Sequence, residues 1–277
     1  MPLDNTAGAA PIFFYPSFIN GDSYAAGGIT ASTMQALVHR VYQMDPTAIW
    51  QGSAGASDSD SETITCVLYS GSAQVQRVID TIIILNNNLK SFVVQYSTDG
   101  GSTWNNICGA LNNNGADYVY FLSSPLTLPV GAQLQLLMST TYPANQQKFI
   151  GNFIATQSIF QVSKPPTKFT ANPMQTVKEV ILADGTHDHT YFFWSDNSCV
   201  LSELDFEFDL LPASDKALLD SLLATAQPFI IYPEPGDVPR AAYLAVFEPG
   251  SYLPAYMTTW KGAGYKIPAK FHQEGYV

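Results

Sequence analysis

Charged side chains are scarce in this chain. They make up 13% of its 277 residues, against about 25% in an average soluble domain. Cationic side chains are the scarcest, with 12 Lys and Arg against 23 Asp and Glu and a formal net charge of −11. The chain therefore lacks the basic surface that binding to a nucleic-acid backbone or to anionic lipid requires. So few charges also favour a surface that other subunits of an assembly cover.

Cysteines and long apolar runs are also in short supply. Three scattered cysteines, Cys66, Cys108 and Cys199, are too few for a disulfide framework or a zinc site and indicate reduced thiols in a protein made in a cytoplasm. The longest aliphatic run is Ile82-Ile83-Ile84-Leu85, whereas a membrane-spanning helix needs about 20 apolar residues. The first basic residue is Arg40, so we expect no Sec-type signal and no membrane insertion.

Residues 30–160 carry β-strand patterns throughout. Val78 to Leu85 is nearly all apolar, which predicts a strand buried on both faces. Other segments alternate, as where Ile64, Cys66 and Leu68 share one face. Turns rich in Asn and Gly, which tolerate positive φ, separate these segments. Short strands at such spacing predict a β-sandwich or jelly roll.

The second half of the chain has a different pattern. Ser163-Lys164-Pro165-Pro166 is the best linker, because paired prolines supply no backbone donors and stiffen the chain. Beyond it, Ala183-Asp184-Gly185-Thr186 predicts a hairpin turn, and residues 214–226 predict the one convincing helix. A helix on a mostly antiparallel sheet is an α+β domain. We therefore expect an N-terminal arm at 1–29, a sandwich at 30–162, a linker at 163–168 and an α+β domain at 169–277.

The N-terminal arm leaves three structures open. It is rich in Gly, Ala and aromatic residues, as in Ile12-Phe13-Phe14-Tyr15-Pro16. The pattern fits an extended segment that packs on something and fits a short edge strand equally well. The arm could also rejoin the second domain, which would make the sandwich an insertion.

The sequence motifs of enzymes are absent. The chain has no Ser-His-Asp order, nucleophile elbow, P-loop or Gly-rich dinucleotide motif. We therefore expect no catalytic residues, no enzyme activity and no cofactor. A glycan-cleaving enzyme stays open as an alternative, because its paired carboxylates are recognised only in space.

Two segments contain residue types that bind metals. Asp58-Ser59-Asp60-Ser61-Glu62 places carboxylates at alternate positions, as suits calcium, but it lacks the glycine and the later bidentate Glu of an EF-hand, so a solvated loop is favoured. His187-Asp188-His189 could place two imidazoles on one face of a strand, but His39 and His272 are remote in sequence. Without a third ligand, the shoulder of a hairpin is favoured and we expect no metal.

A short motif predicts one hairpin turn in detail. Ser97-Thr98-Asp99-Gly100-Gly101-Ser102-Thr103-Trp104 resembles the Asp-box, Ser-x-Asp-x-Gly-x-Thr-Trp. In the Asp-box the Asp side chain ties down the turn, the glycines adopt unusual φ angles and the Trp packs beneath. The resemblance implies a structural turn. Its single occurrence argues against a sialidase propeller, where the motif recurs in each blade.

A wider resemblance covers residues 30–160. Ala31-Ser32, the turn from Asp45 to Trp50, the strand from Val78 to Ile84 and the hairpin from Phe92 to Trp104 resemble a discoidin-like, or galactose-binding-like, domain. The resemblance implies a β-sandwich whose variable end loops bind sugars, lipids or proteins. No binding residue carries over to this chain, and both Trp50 and Trp104 are favoured as core anchors over sugar platforms.

Four acidic residues alternate with apolar ones in a single segment. They are Glu203, Asp205, Glu207 and Asp209, interleaved with Leu204, Phe206, Phe208 and Leu210. In a strand the two sets face opposite sides. Carboxylates about 7 Å apart repel one another and must stay hydrated. Two interpretations stay open, a solvent-facing sheet and the wall of a water-filled channel that repels a polyanion such as DNA.

A second resemblance bears on that acidic strand. The order of elements in residues 165–277, from hairpin through acidic strand and helix to Gln227–Glu234 and Tyr252–Tyr256, resembles the tube-like ring domain of phage tail and baseplate proteins such as the distal tail protein. The resemblance implies a hexameric ring of copies of the chain around a DNA channel lined by Glu203, Asp205, Glu207 and Asp209. DNA would pass without specific binding. An added β domain N-terminal to the ring domain departs from that family's usual order.

The leading functional prediction combines the two resemblances. It is a structural protein of a phage tail tip or baseplate, found in the virion and assembled in the host cytoplasm. Its partners would be other copies, tail-tube and hub proteins, and a host glycan on the sandwich. The alternative is a soluble carbohydrate-binding protein built on the sandwich alone.

Overall fold

The computed structural model of the protein describes residues 9–43, 48–53, 58–173, 177–181, 187–191, 202–224, 228–233, 242–247, 251–259 and 262–273. The chain divides into two compact units. Unit 1 comprises Met1–Pro165, Gln227–Leu244 and Gly275–Val277, and unit 2 comprises Pro166–Ala226 and Ala245–Glu274. The predicted domain boundaries stay a prediction, because a domain is a part of the chain that folds independently and a division into compact units does not measure folding.

The elements follow one another in this order. The helices are α1 (Gly21–Ala25), a 3-10 helix (Gln35–Tyr42) and α2 (Ala213–Ala224). The strands are β1 (Ile12–Phe14), β2 (Ile29–Ala31), β3 (Trp50–Gln51), β4 (Glu62–Val67), β5 (Tyr69–Ser70), β6 (Ala73–Gln74), β7 (Arg77–Asn87), β8 (Leu89–Ser97), β9 (Asn105–Ala110), β10 (Tyr118–Leu128), β11 (Gln133–Thr141), β12 (Phe149–Thr156), β13 (Ser158–Gln161), β14 (Lys168–Pro173), β15 (Val177–Ile181), β16 (His187–Tyr191), β17 (Ser202–Leu211), β18 (Phe229–Tyr232), β19 (Tyr243–Phe247), β20 (Ala255–Thr259) and β21 (Gly262–Gln273).

Two antiparallel sheets of unit 1 pack face to face. One has the order β2-β4-β11-β8-β9 and the other the order β10-β7-β12-β3. Alternate side chains of both sheets, such as Leu136 and Val94 from the first and Ile84 and Phe153 from the second, meet in one buried core together with Trp50. The prediction of a mainly β protein containing a β-sandwich is confirmed, and Trp50 is the core anchor that the sequence favours.

Strand β7 is buried on both faces, as its apolar run predicts. Ile82 and Ile84 point into the sandwich core. Ile83 and Leu85 point the other way, into a second core that includes Phe14. Burying apolar side chains on both faces accounts for a strand without polar alternation.

A three-stranded antiparallel ladder forms the other side of that second core. Strand β1 is its middle strand and pairs with β13 on one edge and with β18 on the other. Ile12, Phe13 and Phe14 of β1 are fully buried. The N-terminal arm therefore contains an interior strand rather than an edge strand. One of its two neighbours, β18, comes from the segment that the sequence assigned to the second domain, as the third alternative expected.

The Asp99 turn has the structure that the Asp-box resemblance implies. One Asp99 oxygen accepts hydrogen bonds from the Thr103 N–H and the Ser97 hydroxyl, and the other accepts from the Thr103 hydroxyl. Gly100 and Gly101 have φ of +73° and +91°, where a side chain would be strained. The hydrogen bonds from Thr103 are the largest of the effects that lower the pKa of Asp99 to about 2.

Strand β17 lies in the interior of the unit 2 ladder, between β14 and β21. Leu204, Phe206 and Phe208 are fully buried, as the alternation predicts. Leu210 is not, because a β-bulge interrupts the register there and gives Leu210 a φ of +57°. Leu211 is buried instead.

Helix α2 confirms the one predicted helix and begins one residue before the predicted cap, Ser214. Leu219 and Leu222 are buried, whereas Leu218 is 41% exposed. Strands β15 and β16 pair as the predicted hairpin, and the turn between them lies outside the described residues. None of the described helices is long and apolar enough to cross a membrane.

We expect Ile83→Ala to destabilise unit 1 by about 2–5 kcal/mol, because it opens a cavity between β7 and the β1 ladder. Chemical denaturation measures the change in the free energy of unfolding. Val130→Ala, at a position that is 62% exposed, is the control and should change it by less than about 0.5 kcal/mol. Equal losses in both variants would show that Ile83 does not join two packed layers.

We expect Asp99→Asn to lower the melting temperature near neutral pH, with a loss that shrinks in acid. The pKa of Asp99 is lowered in the fold from 3.8 to about 2, so the stabilisation by its ionised form is present above pH 3.8 and is lost as the pH falls through about 2. Ser102→Ala serves as the control, because the Ser102 hydroxyl bonds only the Asp99 backbone carbonyl. A gap between wild type and Asp99→Asn that stays constant from pH 6 down to about pH 2 contradicts this role.

Candidate functional site

The acidic row predicted as a channel lining lies on one face of β17. Asp205, Glu207 and Asp209 are partly exposed, on the side opposite the buried Phe206 and Phe208. Glu203 occupies the same strand, but its side chain lies outside the described residues. One oxygen of Asp209 is buried and accepts no hydrogen bond.

Lysines from both neighbouring strands meet this acidic row. The Lys168 ammonium lies 3.1 Å from an Asp205 carboxylate oxygen, and Lys266 pairs with Glu207. Lys270 stands opposite Asp205 in the register of β21. These lysines come from β14 and β21, which are distant from β17 in sequence, so the sequence pattern of β17 alone could not reveal them.

The face is therefore a mosaic of both signs rather than a row of unpaired negative charges. Partly exposed ion pairs of this kind contribute little stability. They also reduce the field that would repel a polyanion. A channel lined by Glu203, Asp205, Glu207 and Asp209 stays a prediction.

The two segments with metal-binding residue types form no ligand cluster in the part of the chain that the structure describes. Asp58 and Glu62 bind different groups: Asp58 binds Thr141 and Asn145, whereas Glu62 binds Thr33 and the Ser53 N–H. His187 and His189 lie on β16, and their side chains are outside the described residues.

Four loops meet at one end of the sandwich, which we call the four-loop end. They are residues 52–61 between β3 and β4, 87–88 between β7 and β8, 111–117 between β9 and β10, and 142–148 between β11 and β12. Residues 54–57 of the first loop lie outside the described set. These loops lie together because each connects strand ends that are at the same end of the sandwich.

Asparagine side chains brace three of these loops to one another. Asn88 donates its amide N–H to the Gln147 carbonyl (2.8 Å) and accepts the Phe149 N–H (2.9 Å). Asn87 donates to the Ala116 carbonyl (3.0 Å), and Asn113 donates to the same oxygen (2.5 Å). Buried amides that replace backbone partners hold irregular loops in one conformation.

Gly115 is required where two of these loops touch. It has a φ of +74°, and a Cβ at this position would lie 3.2 Å from the Asn87 carbonyl oxygen and 3.5 Å from the Asn88 Cα. A side chain would therefore push the 111–117 loop away from the 87–88 loop.

Carboxylates complete the bracing at this end. One oxygen of Asp58 accepts the Thr141 N–H and hydroxyl (both 3.0 Å), and the other accepts the Asn145 N–H (3.1 Å). Burial opposes ionisation of Asp58, but these hydrogen bonds outweigh it and lower its pKa. Burial raises the pKa of Asp117, which accepts the Asn86 N–H.

Two large side chains project from the braced loops. Tyr142 is 55% exposed and Leu111 is 80% exposed. The Tyr142 N–H donates to the Asn88 carbonyl (2.7 Å), which fixes the backbone under the ring. Sequence reasoning identified none of these residues as a site. The runs Asn86-Asn87-Asn88 and Asn112-Asn113-Asn114 predicted turns, but Tyr142 is remote from both runs in the sequence, so no local pattern places it beside them.

Comparisons with known proteins give likenesses in the solved structures only. No family model matches the chain, and no curated protein matches it. Chitosan-binding module 1 of a chitosanase/glucanase from Paenibacillus sp. IK-5 is 14% identical, over 50% of this chain and 97% of that chain, with a TM-score of 0.39.

Two structures from Clostridium perfringens are similar over about the same share of the chain. The family 32 carbohydrate-binding module of NanJ, in complex with galactose, is 12% identical over 53% of this chain and 99% of that chain, with a TM-score of 0.37. CpGH89CBM32-5, in complex with GalNAc-β-1,3-galactose, is 12% identical over 47% of this chain and 96% of that chain, with a TM-score of 0.37. The likeness to these three structures extends over about half of the chain.

Proposed function

We propose that the four-loop end of unit 1 binds a glycan, which is the alternative function that the sequence left open. The observation that carries this proposal is the exposed Tyr142 ring, held on loops that amide and carboxylate side chains brace from below. The reported carbohydrate-binding modules agree with the proposal, but it is derived from the residues of this chain.

The Tyr142 ring offers the apolar part of a sugar site. An aromatic face packs against the C–H side of a pyranose, and a tyrosine supplies this contact at low conformational-entropy cost. Its backbone is fixed by the Asn88 carbonyl, so little main-chain freedom is lost on binding. Leu111, at 80% exposed, adds a second apolar contact.

Exposed amides supply the polar part of the site. Asn112, Asn114 and Gln146 are exposed on the same loops as Leu111 and Tyr142. Each side-chain amide both donates and accepts, which matches the hydroxyl groups around a sugar ring. A small-molecule site usually combines an apolar contact with a small number of polar groups around it.

Binding rather than cleavage fits the acids at this end. Both Asp58 oxygens accept backbone N–H groups, and Asp117 accepts the Asn86 N–H. Glu62 is 2% exposed and accepts from Thr33 and Ser53. These carboxylates hold loops together, so we propose no hydrolytic role for them.

Tyr142→Ala tests the glycan site in the full chain. We expect wild type to bind glycans on an array, and we expect the variant to lose at least about tenfold in affinity, or about 1.4 kcal/mol, since truncating a central aromatic residue has a large effect. Tyr15→Ala is the matched control, because Tyr15 is 46% exposed in the same unit but away from the four-loop end. Wild type that binds no glycan, or a Tyr142→Ala variant that binds as tightly as wild type, rejects the site.

A second candidate function is assembly into a ring through unit 2, as the phage-tail resemblance implies. Leu253 and Tyr256 are 68% and 64% exposed, and Tyr256 packs edge-on to Tyr265 at 5.3 Å between ring centroids. Large apolar side chains left on a surface mark interaction sites. Under this proposal the chain resides in a virion with other tail proteins.

The variant Leu253→Ser/Tyr256→Ser tests assembly. We expect wild type to form oligomers in light scattering, alone or with a tail-tube protein, and we expect the variant to remain monomeric with an unchanged melting temperature. Ser replacement at Val130, exposed in unit 1, is the control. A wild type that stays monomeric at high concentration in both settings overturns the proposal.

A further inference from the structure

The lysine at the end of the 142–148 loop is fully buried. Lys148 is 0% exposed, although lysine is almost never buried without a partner. It lies immediately before strand β12, at the base of the loop that carries Tyr142. A charge in this position costs free energy unless it is compensated.

Lys148 joins the 142–148 loop to the 52–61 loop through both its main chain and its side chain. Its carbonyl accepts the Gly52 N–H (2.8 Å). Its ammonium group donates to the Asp60 carbonyl (2.7 Å). The preceding Gln147 donates to the Gly52 carbonyl (2.6 Å).

The charge of Lys148 also acts on Asp58. Lys148 is one of the groups that lower the pKa of Asp58, after the hydrogen bonds from Asn145 and Thr141. The same acidic segment, Asp58 to Glu62, has the carboxylate spacing of a calcium loop in the sequence. Its carboxylates do not converge as metal ligands among the described residues.

We infer that Lys148 is the internal cation of the four-loop end: its ammonium group, rather than a bound metal ion, joins the 52–61 loop to the 142–148 loop. Lys148 is thus a positioning residue for the glycan site, and this part of the inference rests on the proposed function. Glycan binding should need no divalent metal.

The first arm of the test uses the wild-type chain. We expect neither millimolar calcium nor EDTA to change its melting temperature, since a metal that bound the folded state would stabilise it by mass action. A melting temperature that falls in EDTA overturns the inference.

The second arm compares Lys148→Met, which keeps the length of the side chain without its charge, with Lys148→Arg, which keeps the charge at a larger size. We expect Lys148→Arg to have a higher melting temperature than Lys148→Met. A Lys148→Met chain that does not fold, beside a Lys148→Arg chain that does, is the same result. Lys90→Met is the matched control, because Lys90 is a partly exposed lysine near the same end. If Lys148 mainly fills space, Lys148→Met is at least as stable as Lys148→Arg, and the inference fails.

The third arm measures coupling to Asp58 through a double-mutant cycle. We expect Asp58→Asn to lower the melting temperature more in the wild-type and Lys148→Arg backgrounds than in the Lys148→Gln background, because only the first two keep a cation that interacts with the Asp58 carboxylate. Equal losses in all backgrounds overturn the inference.

The fourth arm measures affinity for a glycan that wild type binds. Lys148→Gln should weaken binding at least about tenfold, and Lys90→Met should leave it within about twofold. Unchanged affinity in Lys148→Gln removes the positioning role. If wild type binds no glycan, the proposed function fails while the first three arms still decide whether Lys148 acts as the internal cation.

Discussion

Burial of strand β7 on both faces is the constraint on which the organisation of unit 1 depends. Its consecutive isoleucines belong to two cores, with Ile82 and Ile84 inside the sandwich and Ile83 facing the β1 ladder. A slip of one residue in register would exchange the two sets. Because both cores fix the same register, the positions of Asn87 at the end of β7 and of Asn88 after it are fixed as well.

That fixed register connects the packing of β7 to the four-loop end, where the glycan site is proposed. Asn88 leaves β7 at the point where the 142–148 loop passes, and its carbonyl and amide hold that loop at Tyr142 and Gln147. The polar bracing and the exposed ring are thus consequences of the same strand. The acidic face of β17 differs, since lysines from adjacent strands pair with its carboxylates. Of the two surfaces, only the four-loop end combines an exposed aromatic ring with loops that hydrogen bonds hold together.

Local patterns predicted local structure well. The apolar run of β7, the alternation of β17 and the Asp99 turn each contain, within a few residues, the information that determines them. What failed depended on contacts between distant segments. Leu210 left the apolar face because of a bulge against β21, where the backbone of Leu210 would lie 2.6 Å from a Cβ on Gly264. The lysines beside Asp205 and Glu207, and the meeting of Tyr142 with Asn88, likewise come from residues far apart in sequence, and no periodicity within one strand could show them.

The β1 ladder has a consequence for the order in which unit 1 can fold. Its strand β18 lies about 70 residues after β13 in the chain, and Ile230 and Tyr232 of β18 complete the core beside Ile83. At a synthesis rate of about 5–20 residues per second, those residues follow β13 from the ribosome by roughly 4–14 s. During that interval the outer apolar side of β7 has only part of its cover. The nascent chain therefore exposes apolar side chains of β7 for seconds before β18 covers them.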